Sequence, residues 1–293
     1  MKKYYFFAFT SILCWSSLAT VVKLLLGTMD SMQVLFISAI FAVLGLLLIA
    51  LFTGRLKRLR EYRWRDYLKM VLIGLPGNFL YNVFYYAGAA RMPASEAFIV
   101  NYLWPIMGVV FACILLKEKM TPVKLAAILL SFFGVFFVIG ESVFTFDTST
   151  LLGALFCVLG AISYGAFTAL NQKCDYDPCL STLVSYASVA ILAGVYVLGT
   201  GGLPRLEVPQ ILGLAWNGGM VLGVATITWI LALGARNTAK IANLAYLTPF
   251  LSLLWTFLFL KEQIKPLALV GLGVIMLGIL IQLLYGSKSI TKK

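Results

Sequence analysis

The sequence predicts an all-α integral membrane protein with ten transmembrane helices, arranged as two inverted repeats of five. Three observations carry this. The 293-residue chain is 61% hydrophobic and only 12% charged, with a mean hydropathy of +0.97, whereas soluble domains carry roughly 25% charged residues. Apolar windows of about 20 residues, the length that crosses a hydrocarbon core, recur along it. Finally, Tyr102-Leu103-Trp104-Pro105 through Leu116-Lys117-Glu118 returns without a gap as Tyr246-Leu247-Thr248-Pro249 through Leu260-Lys261-Glu262, 144 residues later. Each copy runs on to a second proline, Pro122 or Pro266, and then into another apolar stretch.

The first span is expected near 5–26. Met1-Lys2-Lys3 ahead of it imitates a signal peptide, but Ile12 and Leu13 precede Cys14 where cleavage needs small residues, so the segment reads as a retained span carrying Trp15. The second, 31–53, is followed by Arg55, Lys57, Arg58, Arg60, Arg63, Arg65 and Lys69. This dense run reads as a topology anchor that also suits anionic lipid headgroups, with a partner-binding role as the alternative. The third, 67–90, carries Pro76, Asn78, Tyr81, Asn82, Tyr85 and Tyr86, and the fourth, 95–116, carries Glu96, Asn101, Trp104 and Pro105. The rest are expected at 122–140, 150–172 with Tyr164, 179–199, 209–234, 239–260 with Tyr246 and Pro249, and 266–285. The connectors are short and hold no nucleotide-binding motif, so any driving energy comes from a gradient or a partner.

With the N-terminus cytoplasmic, 18 of the 23 Lys and Arg fall on the cytoplasmic side; Lys23, Arg91, Arg205, Lys261 and Lys265 fall on the other. Orientation therefore accounts for the +12 net charge, and nucleic acid need not be invoked. Both termini are expected in the cytoplasm of a bacterium, with the chain in its cytoplasmic membrane. Five spans per copy is an odd number, so the second copy enters from the opposite side. The expected units are 1–145 and 146–293. Two inverted copies can exchange conformations, and alternating access follows from that exchange. Gly108/Ala112 and Ser252/Thr256 stand at small-xxx-small spacing, which lets helix backbones approach. Because one chain supplies both halves, a monomer suffices.

His is absent, and Cys14, Cys113, Cys157, Cys174 and Cys179 form no Cys-x-x-Cys. The sequence thus predicts no metal site, no cofactor and no enzymatic activity. Pro105 and Pro249 each free a carbonyl about a turn earlier, which lipid tolerates only where protein, water or a solute satisfies it. Asn78, Tyr81, Asn82 and Tyr85 follow i, i+3, i+4, i+7 spacing and are expected to share one helical face as the wall of a substrate cavity. Trp15, Trp104, Tyr164, Trp229, Tyr246 and Trp255 are further aromatic candidates, with interfacial anchoring as the competing role. Glu96 is the sole carboxylate near the proline motif, and an ion pair with Arg91 is expected.

With these residues in view, the chain resembles the drug/metabolite transporter superfamily, of the ten-span type built from two EamA units. The likeness runs over nearly the whole chain: Cys14-Trp15-Ser16-Ser17 in the first span, the Lys-Glu after spans four and nine, and the Pro after each. Glu96 followed by Asn101-Tyr102-Leu103-Trp104-Pro105, with Tyr246, Thr248 and Pro249 in the second copy, looks like the bacterial aromatic amino-acid exporter branch. The resemblance implies a central, largely hydrophobic cavity between the halves and export of aromatic amino acids or similar amphipathic metabolites. It implies cavity roles for Trp15, Tyr81, Tyr85, Asn101, Trp104, Pro105, Tyr164, Tyr246 and Pro249. Ser163-Tyr164-Gly165 departs from the Trp that related exporters often place there. Import of a nucleobase, vitamin or organic cation is the alternative on the same fold. A membrane scaffold or a lipid-acting enzyme is the alternative from another class.

Overall fold

A computed structural model describes residues 2–234, 241 and 243–285. The described residues are helical or in turns and loops, with no strand among them. In chain order the α-helices are α1 Lys2–Leu26, α2 Ser31–Phe52, α3 Trp64–Gly74, α4 Tyr81–Arg91, α5 Ala94–Asn101, α6 Trp104–Leu115, α7 Pro122–Val138 and α8 Gly140–Phe144. They continue as α9 Thr148–Asn171, α10 Pro178–Thr200, α11 Val208–Ala215, α12 Ala225–Leu233, α13 Thr248–Leu260 and α14 Pro266–Tyr285. Wide π-helical turns, Leu75–Leu80 and Trp216–Val224, join α3 to α4 and α11 to α12.

Among the described residues, eight helical runs are long and apolar enough to cross a membrane: Lys2–Leu26, Ser31–Phe52, Ala94–Leu115, Thr148–Asn171, Pro178–Thr200, Val208–Leu233, Asn243–Leu260 and Pro266–Tyr285. Pro122–Val138, expected as a full span, is a shorter apolar helix of 17 residues. Trp64–Arg91 is helical from end to end but is not among the eight, because Asn78, Asn82, Tyr81, Tyr85 and Tyr86 dilute its hydropathy. The expected start of the ninth span at residues 239, 240 and 242, and the basic tail 286–293, lie outside the described residues.

Helix starts are set by side-chain acceptors that take up backbone N–H groups lacking an intrahelical partner. Asp30 accepts from the amides of Met32 and Gln33, and Asp177 from those of Cys179 and Leu180. Thr121 accepts from Lys124 just ahead of Pro122, a residue suited to a first helical position. Asp147 caps α9; the Thr150 hydroxyl first, then backbone amides, hold its carboxyl below the usual carboxylate range.

The chain divides into two compact units, one of Met1–Phe79 with Asp175–Leu260, the other of Leu80–Cys174 with Lys261–Lys293. Each draws on both halves of the chain. In the first, α2 packs on α10 and on the π-helical turn Trp216–Val224, and α1 packs on α12 and α13. Two buried amide-hydroxyl bonds hold this unit: Asn78 donates to Ser185 at 2.8 Å and Asn217 donates to Ser38 at 2.9 Å. Both asparagines lie in the π-helical turns. Gly218 lets the second turn lie against α2, since a Cβ there would overlap the Ser38 carbonyl and crowd Phe41.

The loop after α2 is also tied down in this unit. Arg58 and Arg55 meet the buried carboxylate of Asp177 at 2.9 and 3.3 Å, and the Asp177 amide donates to the Tyr62 hydroxyl. Part of the basic run therefore has a structural role as a clamp on the start of α10.

In the second unit α9 packs on α4, α5 and α6, while α7 pairs with α14. The backbones of α7 and α14 come so close that a Cβ on Gly134 would meet the Gly271 carbonyl and Ile275, and one on Gly278 would meet the Ala127 carbonyl and Ser131. The index falls along one helix as it rises along the other, so the pair is antiparallel. Ser131 donates to the Ile275 carbonyl at 3.3 Å across the same seam.

Candidate functional site: an aromatic cluster on a broken helix

Ala94–Leu115 is broken in the middle, and the break sits in the repeated motif. α5 ends at Asn101, Tyr102 and Leu103 turn, and α6 begins at Trp104 with Pro105 in its first turn. A proline there costs no hydrogen bond, since the first N–H groups of a helix have no intrahelical acceptor. The amides of Tyr102 and Leu103 still reach Phe98 and Val100, at 3.0 and 3.2 Å, so the kink is tight. All eight residues of α5 are buried.

Trp104, Tyr164, Tyr81 and Tyr85 form a continuous chain of rings in the second unit. Trp104 meets Tyr164 edge-on with centroids 5.1 Å apart, Tyr164 lies 4.9 Å from Tyr81, and Tyr81 stacks on Tyr85 at 5.9 Å and 4°. Asn101, 3% exposed, donates from Nδ2 to the Tyr81 hydroxyl at 3.0 Å. Its Oδ1 and the hydroxyl of the fully buried Tyr85 have no hydrogen-bond partner among the described residues. Buried polar atoms left unmatched cost about 1–3 kcal/mol each, so they concentrate where a ligand or water can satisfy them. The cluster brings π faces, phenol hydroxyls and an amide together, groups whose chemistry suits contact with flat organic molecules.

The other expected site residues lie in the first unit. Trp15 packs on Trp229 with centroids 5.5 Å apart, and its neighbours Ser16 and Ser17 accept from the indole N–H groups of Trp255 and Trp216 at 2.9 and 2.8 Å. Tyr246 is half-buried in the 3-10 turn Asn243–Leu247, and Pro249 is buried in the first turn of α13, which follows that turn directly.

Asn78 corrects the expectation of one face. An α-helix brings i, i+3, i+4 and i+7 together at 3.6 residues per turn, but the π-helical turn Leu75–Leu80 takes more residues per turn and shifts that register. Asn78 donates to Ser185 in the first unit, whereas Tyr81 and Tyr85 join the rings of the second.

The ion pair of Glu96 is a second correction. Its partner is Lys265 at 3.2 Å, while the Arg91 guanidinium donates to the Ala87 carbonyl and lies over the Phe156 ring. Beside it Glu262 closes the N-terminus of α5, accepting from the amides of Ala94 and Ser95 at 2.9 and 3.0 Å and from the Ser95 hydroxyl. Two carboxylates at a helix N-terminus, where the backbone carries a partial positive charge, suit that end.

Sequence reasoning missed a cavity of about 290 Å³ along α6, in the second unit. Trp104, Pro105 and Val109 form its apolar side; Glu118, Gln172 and Gln282 bring polar groups from three different segments. Those segments are far apart in the chain, so spacing could not have joined them.

The EamA-like transporter family matches this chain twice, over residues 2–140 and 151–284. The chain is 26% identical to the aromatic amino acid exporter YddG of Ancylobacter novellus, over 84% of this chain and 85% of that one. It is 26% identical to the uncharacterized inner membrane transporter YhbE of Escherichia coli K12, over 92% and 88% of the two chains. It is 24% identical to the uncharacterized transporter YoaV of Bacillus subtilis, over 66% and 67%. A solved crystal structure shares the fold with a TM-score of 0.69 over 100% of both chains at 20% identity. These relatives are named as transporters, and the double match spans most of the sequence: the chain is a multi-pass membrane transporter that belongs to the EamA-like transporter family.

Proposed function

We propose that this transporter exports aromatic amino acids, or solutes of similar amphipathic shape, by alternating access through an aromatic-lined cavity. The observation that carries the reading is the ring chain Trp104–Tyr164–Tyr81–Tyr85, built on the broken helix and joined to the buried Asn101 amide. Pro105, Trp15, Tyr246 and Pro249 are also proposed as substrate contacts. The name of the Ancylobacter relative points to the same solute class.

The proposed architecture is ten spans in two inverted repeats, 1–145 and 146–293, with both termini in the cytoplasm of a bacterial cell and one chain as the working unit. Two sets of contacts support the inversion. Shifting Gly134 and Ala127 by 144 gives Gly278 and Gly271, so the contacts Gly134–Gly271 and Ala127–Gly278 exchange into one another. Likewise Asn78 of the third span bonds Ser185 of the seventh, while Asn217 of the eighth bonds Ser38 of the second. Contacts that swap in this way are what an inverted duplication requires, and that symmetry is the basis of alternating access.

The test is flux of labelled tryptophan into liposomes holding the purified full chain, against a panel of unlabelled competitors. Flux above empty liposomes, blocked by phenylalanine and tyrosine, is expected. No excess flux of any aromatic amino acid from folded protein would sink the reading.

A further inference from the structure

We infer that the exposed basic face of the segment between α2 and α3 is a docking surface for anionic phospholipid headgroups. This concerns the lipid around the transporter and stands independently of the solute it moves. The segment begins as a short 3-10 helix, Arg55–Glu61, in which side chains three residues apart align. That period sorts its residues by face. Arg55 and Arg58 meet the buried Asp177 carboxylate, Leu56 and Leu59 are partly buried, and Lys57 and Arg60 form the remaining face, which is exposed.

α3 fixes the depth at which this charge lies. Met70 and Gly74 are buried, and a Cβ on Gly74 would overlap Ser185 of α10. On another face Trp64, Leu68 and Leu72 follow i, i+4, i+8 spacing and are 69%, 45% and 56% exposed. An exposed apolar stripe on a membrane transporter lies against lipid tails, and a tryptophan at its end marks the headgroup interface. Arg63 and Arg65 flank that tryptophan, both exposed, with the Arg65 guanidinium 5.9 Å from its ring. The Tyr67 hydroxyl donates to the Leu59 carbonyl at 2.7 Å, which holds the 3-10 helix beside the start of α3 and brings Lys57 and Arg60 to a similar level.

Charge selects the class of lipid. The two acids of the segment are already engaged: Glu61 lies 3.9 Å from Arg58, and Asp66 accepts from the Arg63 amide and the Tyr176 hydroxyl. The exposed face is thus net cationic. Clusters of Lys and Arg at a membrane surface attract anionic lipid, and guanidinium groups pair with phosphate oxygens through two parallel N–H donors. Orienting the chain in the membrane needs only the number of such residues. It leaves unexplained why Asp177, Tyr62 and Tyr67 hold the segment in one shape. A preformed cationic face at headgroup depth accounts for the shape as well as the charge.

The experiment titrates the detergent-solubilised full chain with fluorescent phosphatidylglycerol and with fluorescent phosphatidylcholine of the same acyl chains. The parent is expected to bind phosphatidylglycerol about tenfold or more tightly, a preference that shrinks as salt is raised. Lys57→Gln with Arg60→Gln, and separately Arg63→Gln with Arg65→Gln, are each expected to weaken phosphatidylglycerol by about fivefold or more, the attraction of one surface cation, and to leave phosphatidylcholine unchanged. These side chains are exposed and enter no salt bridge among the described residues, so folded yield is expected to hold. Lys119→Gln with Lys173→Gln removes the same charge from exposed positions of the other unit and is expected to bind both lipids like the parent. Equal affinity of the parent for the two lipids overturns the docking surface. So does parental binding of phosphatidylglycerol by both cationic-face variants, or an equal loss in the Lys119 and Lys173 variant. Solute flux enters none of these outcomes, so failure here leaves the transport reading standing.

Discussion

Glu118 and Glu262 are the same residue in two copies of one motif, and they do different things. Each follows a lysine in the left-handed region, Lys117 at φ 59° and Lys261 at φ 54°, so the two turns share a backbone. Glu262 spends its carboxylate on the N-terminus of α5, satisfying two amides and a hydroxyl. Glu118 instead pairs with Lys124, at a position where the second copy has Ala268, and keeps one oxygen toward its surroundings. Duplication therefore preserves the turn and leaves the chemistry of its acid free to diverge. One copy has become a structural clasp, and the other borders a cavity.

The largest effect expected from breaking that comparison is at Glu262. Glu262→Ala orphans two backbone donors of α5 in a buried setting, which should cost about 3 kcal/mol in thermal or denaturant unfolding of the detergent-solubilised protein. Glu118→Gln should cost about 1 kcal/mol, because the carboxyl is 40% exposed and the amide oxygen can still accept from Lys124. Equal losses at the two positions would show that the acids have not diverged.

Where the copies remain equivalent, their costs should match. Gly134→Leu and Gly278→Leu force side chains into the same antiparallel seam, each against a facing backbone carbonyl, and each should destabilise by about 2 kcal/mol. Asn78→Leu and Asn217→Leu each remove one buried bond to serine and should each cost about 1 kcal/mol. A twofold or greater disparity within either pair, measured by the same unfolding assay, would break the proposed symmetry.

The smallest expected effect separates α9 from α1. Asp147 caps α9 and its carboxyl titrates below the usual range, held there first by the Thr150 hydroxyl. A lowered folded-state pKa contributes stability above the unfolded value and loses it as pH falls through the folded one. Asp147→Asn should therefore flatten the acid side of the stability profile. α1 starts with no acid in its first turn and gives no such slope. An unchanged acid limb in the variant would mean that the cap carries no stability.

Several features were legible in sequence because they are local or repeated. The first motif copy located the break in Ala94–Leu115, and aromatic content in the third, fourth and sixth spans named Tyr81, Tyr85, Trp104 and Tyr164, which the structure brings together. Pro105 read correctly as the mark of an interruption in its helix.

What was missed depends on geometry that a 3.6-residue period cannot express. The glycines around Pro76 and Asn217 permit π-helical turns, and that change of period separates Asn78 from the tyrosine stripe. Glu96 finds Lys265 rather than Arg91 because α14 begins beside α5, a meeting that only the folded chain creates. Gln172 and Gln282 carry no motif, and their shared cavity is visible only once α6, α9 and α14 are in place.

The most direct test of the account is tryptophan counterflow in sealed liposomes, comparing the parent chain with Trp104→Ala and Tyr81→Ala. The account expects counterflow from the parent and a loss of tenfold or more in each variant at equal folded yield, about 1.4 kcal/mol or more at the substrate contact. Parent-like counterflow from both variants would contradict it, because the ring chain on the broken helix would then play no part in moving the substrate.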